Sequence, residues 1–173
     1  NQAQQEVLFG TVDGLVAVLK IGYKTQFDTQ GRRVVAEPKA ESFLALGQPG
    51  FPIKRLAYAD AGGQKLAAVL QDVEGRLEVH VATLVQPRSL LGAGTARVEQ
   101  RYDLTPQIPG HPQAVLVNEQ ADGVGVTTQE GAVYYFVRKD QALTLRQVFT
   151  PFADLPETTI ASLNFLLGSA SLV

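Results

Sequence analysis

His80 and His111 are the only histidines of the chain, and cysteine is absent. An imidazole works as a base or metal ligand only when other groups converge on it, and the common zinc and iron sites need two or three such donors. His80 follows Val79 and shares the polar side of an alternating stretch with Arg76 and Glu78, while His111 lies between Gly110 and Pro112 in a turn-forming segment. Both are expected to be structural or solvated. Ser169 and Ser171, in the run Leu166 to Val173, lack the G-x-S-x-G setting that exposes a nucleophile. They are expected in a turn and a strand. Gly92-Ala93-Gly94 has no third glycine, lysine or following helix with which to cradle a phosphate, and reads as a flexible turn.

Carboxylates offer a further possibility. Asp13, Asp72, Glu74, Asp122 and Glu130 all sit beside turn-forming glycines, which would bring several of them to one rim and there attract a cation. The D-x-D-x-D-G spacing of a calcium loop is missing, however, and acids next to glycine are ordinary turn chemistry. Among the basic residues, Lys54, Arg55, Arg76, Arg138 and Lys139 are placed to meet an anion or an acidic partner, although solubility explains them equally well. No catalytic, cofactor-binding or metal-ligating residue is assigned, and the chain is expected to be no enzyme and to carry no cofactor.

The elements that would position these residues repeat along the chain. An acid followed by glycine recurs at Asp13-Gly14, Glu74-Gly75 and Glu130-Gly131, and each pair supplies the positive φ of a hairpin turn. After the turns come LVAVLKI from Leu15, RLEVHVA from Arg76 and AVYYFVR from Ala132, all rich in β-branched or aromatic residues. Alignment on the turn glycine makes Val16 and Val18, Leu77 and Val79, and Val133 and Tyr135 equivalent inward positions. In the second copy the alternation predicts one wet face, carrying Arg76, Glu78 and His80.

Before each turn a partner strand is expected, at Glu6 to Thr11, Leu66 to Gln71 and Val124 to Gln129. A leading strand precedes it in IKRLAYA from Ile53, QAVLVNE from Gln113 and IASLNFLL from Ile160. The last copy continues through Gly168-Ser169 and ends at Val173, inside its second strand. The turn glycines lie 61 and 56 residues apart, a loose repeat. Stretches such as Glu41 to Pro52 and Leu104 to Pro112 read as loops with room for one outer strand each.

Repeats of roughly 40 to 50 residues with three or four antiparallel strands are the sequence pattern of β-propeller blades. The fold class is thus expected to be all-β, antiparallel and propeller-like, an arc of about three to four blades. Residues 1–173 form a single soluble β-repeat domain. Because three units are too few to close a ring, the chain reads as a truncated part of a larger propeller-like domain. The opening residues Asn1 to Gln5 are too polar for a signal peptide, and the apolar stretch Phe165 to Val173 is about half the ~20 residues of a membrane helix.

A net charge of −2 with dispersed lysines and arginines gives no stripe for phosphate backbones, so nucleic acid is excluded as a partner. An apolar fraction of 45% against 18% charged supports a packed core rather than disorder.

Two segments carry a family resemblance. The run from Leu19 to Phe27, LKIGYKTQF, and above all IASLNFLLGSASLV from Ile160 to Val173, resemble the large insert of long-form permease subunits of bacterial phosphate ABC transporters. The resemblance implies a periplasmic domain of an inner-membrane permease in a Gram-negative bacterium. The parent protein would be membrane-embedded and engaged in phosphate uptake. The implied partners are a periplasmic phosphate-binding protein and other transporter subunits, with self-association through the terminal blades. No functional residue is carried over. The alternative is a free-standing propeller-like module that binds a ligand or protein and has nothing to do with transport. A propeller enzyme of the quinoprotein or lyase type is disfavoured by the absence of tryptophan and of clustered His and Asp.

Overall fold

A computed structural model describes residues 4–89, 92–155, 159–166 and 171–172. The chain is all-β. Three strands form the first sheet, in the order β1 (Gln4–Gly10), β2 (Leu15–Asp28), β3 (Gly31–Ala45). The second contains β4 (Ile53–Ala61), β5 (Gln64–Val73) and β6 (Arg76–Val85), with β9 (Arg97–Asp103) on its outer edge. Between β6 and β9 lies a two-residue ladder of β7 (Arg88–Ser89) and β8 (Gly92–Ala93). The third sheet runs β10 (Pro112–Val117), β11 (Gly123–Thr128), β12 (Val133–Lys139), β13 (Ala142–Phe149). Finally, β14 (Phe165–Leu166) pairs with β15 (Ser171–Leu172). All pairings are antiparallel, and the one helical segment among the described residues is a 3-10 turn at Thr105–Gln107.

Each hairpin turns where the acid-glycine pairs stand. In the second, Glu74 and Gly75 have φ of 53° and 84° and join paired Val73 and Arg76, a two-residue loop with both central residues left-handed. The first and third share a longer turn built on threonine. Thr11 N donates to Leu15 O and Gly14 N to Thr11 O, while Thr128 N donates to Ala132 O and Gly131 N to Thr128 O. The threonine hydroxyls close both turns, accepting from Leu15 N at 2.9 Å and from Ala132 N at 3.3 Å.

Gly14 cannot gain a side chain cheaply. Its φ is +82°, and a Cβ there would stand 2.7 Å from the carbonyl oxygens of Gln48 and Phe51. Gly14→Ala is therefore expected to cost about 1–3 kcal/mol, read as a lower urea midpoint at unchanged slope.

The sheets stack face to face in chain order. Val16 and Val18 of β2 pack with Leu44 and Leu46 against Ala67, Val69, Ala82 and Leu84 of the second sheet. Its other face, with Leu66, Ala68, Leu70, Val79 and Val81, packs against Val124, Val126, Tyr134 and Phe136 of the third. On the far side of the third sheet Val133 is buried, and the Tyr135 ring lies 6.0 Å from that of Phe165. The residues aligned on the turn glycine thus each face the next unit.

Four expectations need correction. The strand holding His80 has no wet face along most of its length: Val79 through Leu84 are all buried, because neighbours cover both sides of the second sheet. Glu41 to Ala45 belong to β3, so the loop after it is shorter than expected, and β2 and β3 reach 14 and 15 residues. Of the leading strand expected from Ile160, residues 160–164 are irregular, and strand begins at Phe165. Gly92 and Ala93 pair with Ser89 and Arg88 instead of forming a free turn. The expected turn at Gly168-Ser169 lies outside the described residues.

Candidate functional site

Where the second and third sheets meet at their turn ends, a groove opens. It is made of two adjoining cavities of about 400 Å³ each that share Gly75, Leu77, Pro112 and Gln129. Lys54, Arg55 and Asp72 line one part, and Arg76, Thr105 and His111 the other. The loops are tied down by their own side chains. Lys54 Nζ lies 3.3 Å from Asp72 Oδ2, and Asp72 Oδ1 accepts from Gly75 N at 3.0 Å. Arg55 Nη1 donates to Lys54 O.

Glu130 clamps the other wall. His111 N donates to both of its carboxylate oxygens, at 3.1 and 3.0 Å, and His111 Nδ1 lies 2.6 Å from Oε1. The backbone bond from His111, with the ring bond beside it, brings the Glu130 carboxyl down to about 2. A carboxyl depressed on folding stabilises the folded state above its unfolded value near 4.5, and that contribution is lost as pH falls toward 2. The acid limb of the stability profile is therefore expected to flatten between those values in Glu130→Gln, measured by thermal melts across a pH series.

Polar groups are also buried elsewhere. At the opposite end of the first two sheets, Lys65 Nζ lies 2.6 Å from Glu6 Oε2, Lys20 Nζ 4.0 Å from Glu6 Oε1, and Tyr58 Oη donates to Glu6 at 2.9 Å. Burial pushes the Glu6 carboxyl upward, but the bonds from Lys65 and Tyr58 and the two ammonium charges outweigh it, and the net is below the ordinary value. Burial, and then the same carboxylate, hold the Tyr58 phenol far above its usual range.

Gln71 is wholly buried and has its amide satisfied. Nε2 donates to the carbonyls of Gln48 and Phe51 at 2.5 and 2.7 Å, and Oε1 accepts from Gln48 N at 2.9 Å. It stitches the connection between the first two sheets to the second. Asn118 does the same in the β10–β11 turn, accepting from Asp122 N and Gly123 N.

Four of the five carboxylates singled out from sequence share one end of the sheets, but not one cluster. Asp13, Asp72, Glu74 and Glu130 stand at turns of one end, whereas Asp122 lies in the β10–β11 turn at the other and is held by Asn118 Nδ2 at 2.6 Å. Among the described residues no three His, Asp or Glu side chains gather as metal ligands. His80 lies buried beneath the Gly47–Gln48 loop, its Nε2 3.1 Å from Glu78 Oε2, which also accepts from Gln48 Nε2. Lys54, Arg55 and Arg76 share the groove; Arg138 lines a separate hollow with Lys65, Thr83 and Glu99, and Lys139 closes β12. Ser171 begins β15, and Ser169 lies outside the described residues.

No protein-family model and no curated protein matches this chain. The groove carries Lys54, Arg55 and Arg76 beside one carboxylate, Asp72, which is paired with Lys54. Two features were missed from sequence: the Glu6 cluster and Gln71. A signal for each existed, since a lone Gln or Lys inside an apolar strand must find a partner when buried.

Proposed function

We propose that the chain is a periplasmic accessory domain of an inner-membrane permease for phosphate uptake, built as an arc of propeller-like blades. It serves docking and carries out no catalysis of its own. The observation that carries this reading is the stacking of three like antiparallel sheets in one sense, each presenting its aligned positions to the next. This is the architecture that the resemblance of Leu19 to Phe27 and Ile160 to Val173 implies. Grooves between successive blades at their turn ends are natural places for a partner's acidic loop, and Arg55 and Arg76 supply positive charge here while Lys54 is held by Asp72.

Titration calorimetry with a purified periplasmic phosphate-binding protein tests the proposal. The expected result is a transient complex of roughly micromolar Kd, weakened about tenfold or more by Arg76→Glu. Inorganic phosphate alone is expected to give no tight binding, because the groove offers neither a helix N-terminus nor a nest of backbone N–H groups. Absence of any complex at about 100 μM protein, or micromolar phosphate binding that Arg76→Ala abolishes, would overturn the docking role.

A further inference from the structure

The second and third sheets have the same four-strand plan: a leading strand, a strand before the acid-glycine turn, a strand after it, and an outer strand. In both, the leading strand, β4 or β10, pairs along one edge of the strand before the turn, β5 or β11. The first sheet has three strands. Its shared threonine turn identifies β1 with β11 and β2 with β12, so the strand without a counterpart is the leading one. The exposure of Val7, Phe9 and Phe43 marks something else, the outer face of the first sheet, on which no further sheet packs among the described residues.

An uncovered strand edge presents a row of backbone donors and acceptors, which in water is a template for strand addition. We infer that the edge of β1 that pairs with no strand among the described residues is a binding site for one extended strand, running antiparallel to it and carrying apolar side chains at alternate positions. That occupant has the chemistry of the chain's own leading strands, with Leu56 and Tyr58 in β4 and Val115 and Val117 in β10 packed toward the sheet interfaces. Main-chain hydrogen bonds supply the attachment, and the alternate apolar side chains complete the faces that Leu8 of β1 begins. The inference depends on strand order and is independent of the transport reading.

The probe is a synthetic peptide copying residues 53–61, IKRLAYADA, added to the 173-residue chain while amide hydrogen exchange is followed residue by residue. The expected result is saturable slowing, by about tenfold or more, confined to amides of β1. The same peptide N-methylated at alternate residues keeps its side chains, loses one hydrogen-bonding edge, and is expected to give no slowing. Three outcomes would overturn the inference: no protection at about 1 mM peptide, protection on the outer strands β3, β9 or β13, or equal protection by the N-methylated peptide. Protection of β1 that rises with protein concentration and needs no peptide would also overturn it, assigning the edge to a second copy of this chain. Failure of the phosphate-binding protein to bind would leave this result untouched, so the two proposals fail separately.

Discussion

Replacing Glu6 with alanine is expected to lower stability by about 3–5 kcal/mol, the usual cost of stripping a buried charge of its partner. The side chains of Lys65 and Lys20 are only 7% and 10% exposed, and Glu6 is the carboxylate that both approach. Asp60 lies 3.4 Å from Lys65, but at 40% exposure it works through solvent and offsets little of the loss. Urea unfolding gives the magnitude. A second measurement separates charge from packing: because the Glu6 carboxyl is depressed on folding, its contribution is full above the unfolded value near 4.5 and fades as pH falls below it. The alanine variant is expected to lose that part of the acid dependence. Adding Lys65→Met to Glu6→Ala should recover part of the stability, since an apolar side chain of similar length removes the more closely held of the two ammonium groups. No recovery would mean that packing of the glutamate stem, rather than its charge, carries the effect.

Phe136→Ala is expected to be comparably severe. The ring is wholly buried, pairs across β11 with Val124, and belongs to the cluster that joins the second and third sheets. Truncation of a buried Phe costs about 3–5 kcal/mol, from lost burial and from the cavity left behind. For a domain of this size that corresponds to a fall in melting temperature of roughly 6–20 °C. A change below about 1 kcal/mol would show that the two sheets can close over the gap, against the rigid packing typical of such interfaces.

Much of this arrangement was legible in the residues. The turns at Gly14, Gly75 and Gly131 announced themselves because acid-glycine pairs between apolar runs have few other uses, and positive φ at all three matches that reading. Of the positions that alignment on those glycines picked out, Val16, Val18, Val79 and Val133 are buried, and Leu77 and Tyr135 are half-buried. What alternation could not reveal was a second neighbour. His80 sits on a polar register, and the loop at Gly47 packed over it, with the first sheet packed over Ala82 and Leu84 farther along, makes that register an interior one. A period of two describes a strand with one covered face; a strand covered twice depends on units distant in the chain. The groove was half legible, in that Lys54, Arg55 and Arg76 were noted, but that they flank one opening follows from how two sheets splay. The Glu6 cluster joins residues 59 positions apart, so a lone lysine in an apolar strand signalled that a partner exists without saying which.

The meander of the three large sheets has a bearing on how the chain folds. Each strand pairs with a neighbour close in sequence, and each sheet packs on the next, so closing any contact requires only a short stretch of chain to be ordered. The middle unit, clothed on both sides, gains nothing until a flank arrives, whereas each flank can settle on it separately. Order should therefore spread outward from β5 and β6 like a zipper opened from its centre. Hydrogen exchange under mild denaturant would then release the ribbon of β2 and β3 first and the amides of Leu66 to Leu70 last, grading the molecule from rim to middle by how many neighbours each strand has to lose.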